Sequence, residues 1–323
     1  MNLKVRQASR LPSAKSGPER ARRDACPVLR PGTTAPRSVQ GSEAGAGFTR
    51  VDLLTVIGVL AVLGLLLTPA LARTRLADQA FQCRANLGRL LSAWRMYAED
   101  NSDRIPAAYD QYSAVAPAPG WITNSLMSWF GNAAQDGRNS CNWDTEVTVK
   151  QSPLWNYCGN DEGIWRCPSD GIFRCVPASG PLQGRSLPRV RSYSMSSCFN
   201  SRNWTSWNGP GFTTYTKVGE CLKPGPAKTF VFLHERVDSI NDGEFAVAMD
   251  GYPNSPLAFR ILDYPASQHD GACGFAFVDG HSEMKKWLDP RTKPPVGPRL
   301  QLNVRMPNNV DVYWLMDHST RRS

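Results

Sequence analysis

The feature that most constrains this chain is a run without one charged side chain, residues 53–72. In a helix it spans roughly 30 Å at about 1.5 Å of rise per residue, which is the thickness of a bilayer's hydrocarbon core. It therefore reads as a membrane segment. A single carboxylate, Asp52, stands at its rim, where an unpaired charge costs about a few kcal/mol and calls for a partner.

Charge on either side of the run sets the expected orientation. Residues 1–47 hold nine Lys or Arg against Glu19, Asp24 and Glu43, most of the chain's net +9, whereas only Arg73 and Arg75 follow the run closely. That imbalance predicts the N-terminus inside and the rest outside. The basic segment has no apolar periodicity and is rich in Pro, Ser, Gly and Arg, which predicts a disordered leader. Beyond it the charge is too nearly balanced for a nucleic-acid binder.

After the run the pattern turns amphipathic: Leu76, Ala80, Cys83, Leu87, Leu90 or Leu91, Trp94 and Tyr97 recur at spacings of three and four. This predicts one long helix over residues 48–101, transmembrane to about residue 72, whose later stripe faces a core. Residues 102–323 read as a loop-rich globular domain, since the chain carries 25 prolines and 26 glycines. Its tryptophans, among them Trp121, Trp129, Trp165, Trp204 and Trp207, read as core. Strands are expected at residues 229–233, 245–249, 274–278 and 281–287, with Asp279-Gly280 as a type I′ hairpin turn between the last two.

Several of these segments carry a resemblance. Gly47-Phe48 followed by Asp52 resembles the cleavage signal of type IV pilins and type II secretion pseudopilins. Cys83-Arg84-Ala85-Asn86-Leu87, Tyr97-Ala98-Glu99-Asp100-Asn101, Cys167-Pro168-Ser169-Asp170 and Ser192-Tyr193-Ser194-Met195 resemble recurrent segments of the prepilin-type proteins with an H-X9-DG domain. The signature itself is His269, nine residues, then Asp279-Gly280, within a unit at about 225–290. The resemblance implies cutting between Gly47 and Phe48 by a prepilin peptidase, removal of residues 1–47, N-methylation of Phe48 and an assembly role for Asp52. The implied fold class is α+β and pilin-like: a long N-terminal helix, transmembrane in its first half, packed on a mainly antiparallel sheet. The implied function is a structural subunit of a type II secretion or type IV pilus-like assembly in the bacterial inner membrane, with its globular domain periplasmic or extracellular. Its partners would be the peptidase, the membrane, an assembly platform and its own copies. A membrane-tethered envelope module that binds a ligand such as carbohydrate is the alternative.

An enzyme or metal reading has to be built from His234, Glu235, His269, Asp270, Asp279 and His281. No HExxH or CxxC pair occurs, so no catalytic residue and no metal ligand is assigned. Calcium is a weaker reading of Asp238, Asn241, Asp242 and Glu244, because Ile240 occupies a slot where an EF-hand needs a ligand. Of nine cysteines, Cys26 leaves with the leader, and Cys83, Cys141, Cys158, Cys167, Cys175, Cys198, Cys221 and Cys273 remain. An even set on the oxidising side of a membrane predicts disulfides, Cys167 with Cys175 being the nearest local pair. Cys83 would tie the helix to the domain or stay a buried thiol, and zinc is the competing use of the set.

Overall fold

Five residues in a row that are buried on both faces, Phe230–His234, make the central strand of a sheet, β4. The computed structural model describes residues 48–109, 119–123, 137–172, 174–200, 211–297 and 300–322, without the side chains of residues 67–73 and 172. The leader, Gly47 of the expected cleavage site, Trp129, Trp204 and Trp207 lie outside the described residues. The chain divides into two units, Met1–Ile57 and Gly58–Ser323.

Of the first unit only the start of helix α1 (Arg50–Asp100) is described. Asp52 accepts hydrogen bonds from the backbone N–H (2.8 Å) and hydroxyl (2.7 Å) of Thr49, and its own N–H donates to the Thr49 hydroxyl (3.1 Å). This reciprocal cap satisfies two otherwise orphaned donors and gives Asp52 a local partner. The same bonds hold its carboxyl below the usual carboxylate range.

In the second unit β4 is flanked by β3 (Tyr193–Ser196) and β7 (Ala272–Phe277), with β5 (Glu244–Phe245) and β8 (Ser282–Lys286) at the edges, in the order β5-β3-β4-β7-β8. Two short pairs stand apart, β1 (Arg174–Cys175) with β2 (Leu187–Pro188) and β6 (Arg260–Ile261) with β9 (Val304–Arg305). Successive side chains of β7 point to opposite faces, so Gly274 and Phe275 look different ways. On one face the buried stripe of α1, Cys83, Leu87, Leu90, Leu91, Trp94 and Ala98, lies over Gly274, where a Cβ would stand 2.7 Å from Leu87 Cδ1. On the other, helix α2 (Val310–Asp317) sets Trp314 edge-on to Phe275 at 4.9 Å. Both faces are covered, which is why every residue of β7 is buried.

The structure corrects the expected fold class and placement. Among the described residues no helix is long and apolar enough to cross a membrane. The single-pass inner-membrane placement, with a periplasmic or extracellular domain, therefore loses its support. Nor is the domain a pilin-like helix on a mainly antiparallel sheet. It is a mixed, sheet-centred domain in which β5 runs parallel to β3, with Met195 opposite Glu244, and 3-10 turns fill much of the rest. The run 245–249 stays in the ladder only through Phe245, because the Ala246 N–H donates to Asp263 Oδ2 (2.7 Å).

The hairpin differs in its turn. Among its residues only Gly280 has positive φ (109°), the Gly280 N–H donates to Phe277 O and the Phe277 N–H to His281 O, each 2.9 Å. A turn at Val278-Asp279 followed by a left-handed glycine bulge replaces the expected type I′ turn. Strands β7 and β8 accordingly stop one residue short on each side of the Asp279-Gly280 pair's expected flanks.

Candidate functional site

The central strands meet α1 at one end of the sheet. There β3 begins, β4 ends and β7 begins, since Tyr193 pairs with His234 and His269 precedes β7 by one tight turn. The turn passes through left-handed Asp270 (φ 53°) and Gly271 (φ 74°), and the Ala272 N–H closes it onto His269 O at 3.1 Å. At this end Cys83, Cys167, His234 and His269 converge, all buried, with one ligand-type atom from each lying within 4.8 Å of the others. Cys83 Sγ is 3.9 Å from His234 Nδ1, and Cys167 Sγ is 3.2 Å from His269 Nε2.

The surrounding residues hold these four in place. Asn86, one helical turn after Cys83, donates to Gly163 O (3.3 Å) and Arg166 O (2.9 Å), fixing the segment that delivers Cys167. The Cys167 N–H donates to Ser192 Oγ (3.0 Å), and the Tyr193 hydroxyl lies 3.4 Å from Cys83 O. Asp170 Oδ2 accepts from Arg189 at 2.5 Å and faces His234 Nε2 at 3.3 Å. Cys273 donates its thiol to His234 O at 3.1 Å. The segments Cys83-x-x-Asn86, Cys167-Pro168-Ser169-Asp170, Ser192-Tyr193 and His269 thus form one cluster, although 186 positions separate the first from the last in the numbering of the chain.

Electrostatics inside the cluster are strongly coupled. Burial resists ionisation of Cys167, but a hydrogen bond with Cys83 and the charge of His234 outweigh it and hold that thiol far below its ordinary value. Burial likewise resists the charge of His234, yet Cys167 and Asp170 raise it to about 10. Burial pushes the Cys83 thiol well up. His269 Nδ1 is buried with no hydrogen-bond partner.

Such a set suits either a metal ion or a thiolate nucleophile. Cys167 is 2% exposed, and its sulfur lies 2.9 Å from Ser169 Oγ and 3.2 Å from His269 Nε2. A cavity of ≈ 430 Å³ lined by Asn86, Arg89, Cys167, Asp170, Arg189 and Ser192 adjoins the cluster.

The other expected residues fall elsewhere. Asp279 and Gly280 sit at the far end of β7, where Arg95 donates to Asp279 O (2.9 Å), and His281 stacks on Phe277 at 4.3 Å. Both carboxylate oxygens of Asp238 are held by Arg236, at 2.5 and 2.8 Å. Glu235 bonds Ser239 (2.8 Å) and is pushed up to about 8 by burial. Cys83, Cys158, Cys167, Cys198, Cys221 and Cys273 are free thiols. The expected Cys167 to Cys175 bridge is not formed: Cys167 belongs to the cluster, while Cys175 points its thiol at Asn142 O, 3.7 Å away. Sequence reasoning singled out His234, His269, Cys83 and Cys167 separately and missed that they meet. No local spacing records it, since each comes from a different element. Comparison with family models, curated proteins and solved structures finds nothing that matches this chain.

Proposed function

We propose that this chain is a structural subunit of a pilin-like or type II secretion-like assembly, matured by a prepilin peptidase, and not an enzyme. The observation that supports this reading is the exposed apolar surface of α1. In the first unit Val51, Leu53, Leu54, Val56 and Ile57, and in the second Val59, Leu60, Val62, Leu63, Leu65 and Leu66, are each between 46% and 73% exposed. Apolar surface on this scale needs a cover, and a like helix from a neighbouring copy is one of matching shape and chemistry. Phe48, the residue that cutting would expose as a new N-terminus, is itself 73% exposed, as a protease and a methylating enzyme require.

The reading is tested by expressing the full chain with and without a prepilin peptidase. Intact mass should show a chain beginning at Phe48, methylated, only with the active peptidase, and Gly47→Val should abolish the cut. Electron microscopy and crosslinking of the matured chain should then show assemblies joined through α1. A leader that stays attached beside an active peptidase, or a matured chain that stays monomeric, would overturn it.

A further inference from the structure

The buried cluster has a composition and a shape that the assembly reading does not use. We propose that Cys83, Cys167, His234 and His269 bind one Zn²⁺ in a closed structural centre that fastens α1 to the sheet.

The donor set carries the first step. Two thiols and two imidazoles are soft and borderline donors that favour zinc over magnesium or calcium. A tetrahedral zinc with metal–sulfur bonds of about 2.3 Å and metal–nitrogen bonds of about 2.0–2.1 Å separates its ligand atoms by about 3.3 to 3.8 Å. Here one Cys–His pair stands at 3.2 Å, another at 3.9 Å, and no pair exceeds 4.8 Å, so small side-chain rotations bring all four onto one ion.

The surroundings carry the second. His234 turns Nδ1 to the cluster and Nε2 to Asp170, which is the carboxylate–histidine pairing that orients metal-bound imidazoles. His269 is 4% exposed, yet among the described residues its ring bonds only the Cys167 sulfur, and Nδ1 has no partner. Burying an imidazole so poorly satisfied is costly, and a bond to a metal compensates for it. Four protein ligands complete the tetrahedron and leave no position for substrate, which makes the centre structural. The cavity beside Cys167 and Asp170 provides the ion's route from solvent. The ligands come from α1, the segment before the 168–172 turn, the end of β4 and the turn before β7. One ion therefore joins four stretches of chain.

The test uses the full chain purified without chelator or an immobilised-metal column. Elemental analysis should find about one zinc per chain. Replacement with Co²⁺ should give the visible absorption of a tetrahedral site with two sulfur and two nitrogen ligands. Cys167→Ser and His269→Gln should lose the zinc, and Cys221→Ser, outside the cluster, should keep it. Asp170→Asn should retain the site with affinity about 10- to 100-fold weaker, as for other residues that orient a metal ligand. Should the ligand variants fail to fold, the cobalt spectrum of the unaltered chain still decides. A metal-free chain whose Cys83 and Cys167 are joined in a disulfide, or whose Cys167 alkylates as an open thiolate while Zn²⁺ is present, would overturn the proposal. So would zinc retained in full by Cys167→Ser.

Discussion

The contact between α1 and the sheet is closest at one residue. A Cβ on Gly274 would stand 2.7 Å from Leu87 Cδ1, 3.4 Å from Cys83 Sγ and 3.5 Å from Met284 Sδ. Carbon atoms settle at about 3.5–4.0 Å, so Gly274→Ala must drive the Leu87 methyl back by about 1 Å. Leu87, Leu90 and Trp94 are wholly buried, and the helix has little slack with which to absorb the shift. Overpacking of this kind costs about 1–3 kcal/mol, while the stiffer unfolded chain of alanine returns about 0.4–1 kcal/mol. The net loss is about 1–2 kcal/mol, or about 2–8 °C of melting temperature for a domain of this size. Leu87→Ala alone should cost about 2–5 kcal/mol through the cavity it leaves. With both changes the new methyl occupies part of that cavity, so the double variant should cost less than the sum by about 1–2 kcal/mol. Urea unfolding of all four chains, with unchanged dependence on denaturant, measures the coupling. Strict additivity, or a neutral Gly274→Ala, would show that α1 does not cross β7 at this point.

Gly280→Ala should lose about 1–3 kcal/mol, because φ at that position is 109° and no L-residue holds it without strain; a denaturation midpoint equal to wild type would refute the bulged turn. Asn309 caps α2 by accepting from the Asp311 and Val312 N–H groups, and Asn309→Ala should cost about 1–2 kcal/mol in the same assay. Asp317 accepts from Tyr252 Oη (2.8 Å), Lys228 (3.2 Å) and Arg321 (2.6 Å). Burial raises its carboxyl, but the bonds from Tyr252 and Lys228 and the charge of Arg321 win and lower it below the ordinary 3.8. A depressed carboxylate stabilises the fold fully above its unfolded value and loses that contribution as pH falls through the folded one. Stability should therefore drop on acidification below about pH 4, and Asp317→Asn should flatten that limb while costing about 1–2 kcal/mol at neutral pH. Thermal melts from pH 7 to 2.5 with equal slopes for both chains would refute the assignment.

What could be read from sequence followed from local periodicity. The stripe from Cys83 to Trp94 is buried because its spacing of three and four keeps it on one helical face, and β4 forms where β-branched and aromatic residues run together. The stripe was not legible in extent: Leu76 fits the pattern but is exposed, whereas Cys83 is buried. Parallel pairing of β3 with β5 was invisible because a two-residue strand has no period and its partner lies about fifty positions away. The disulfide expectation had a different weakness. It rested on an even cysteine count and an oxidising compartment, and that compartment rested on a membrane span that the described helices do not provide.

The H-X9-DG spacing acquires a physical meaning once both ends are located. Nine residues are what the chain needs to leave His269, turn through Asp270 and Gly271, run the length of β7 and reach the hairpin at Asp279-Gly280. Both ends touch α1: His269 meets Cys83 in the buried cluster, and Asp279 O accepts from Arg95. Between them Gly274 lets the helix settle on the strand, and the outward Phe275 takes up α2. A one-residue insertion within β7 would send every later side chain to the opposite face and put Phe275 against Leu87. The fixed count of nine thus follows from a strand that must present glycine to one helix, phenylalanine to the other and an imidazole to the cluster at its head. The motif is a register constraint before it is a chemical one, and only His269 within it bears on the proposed metal.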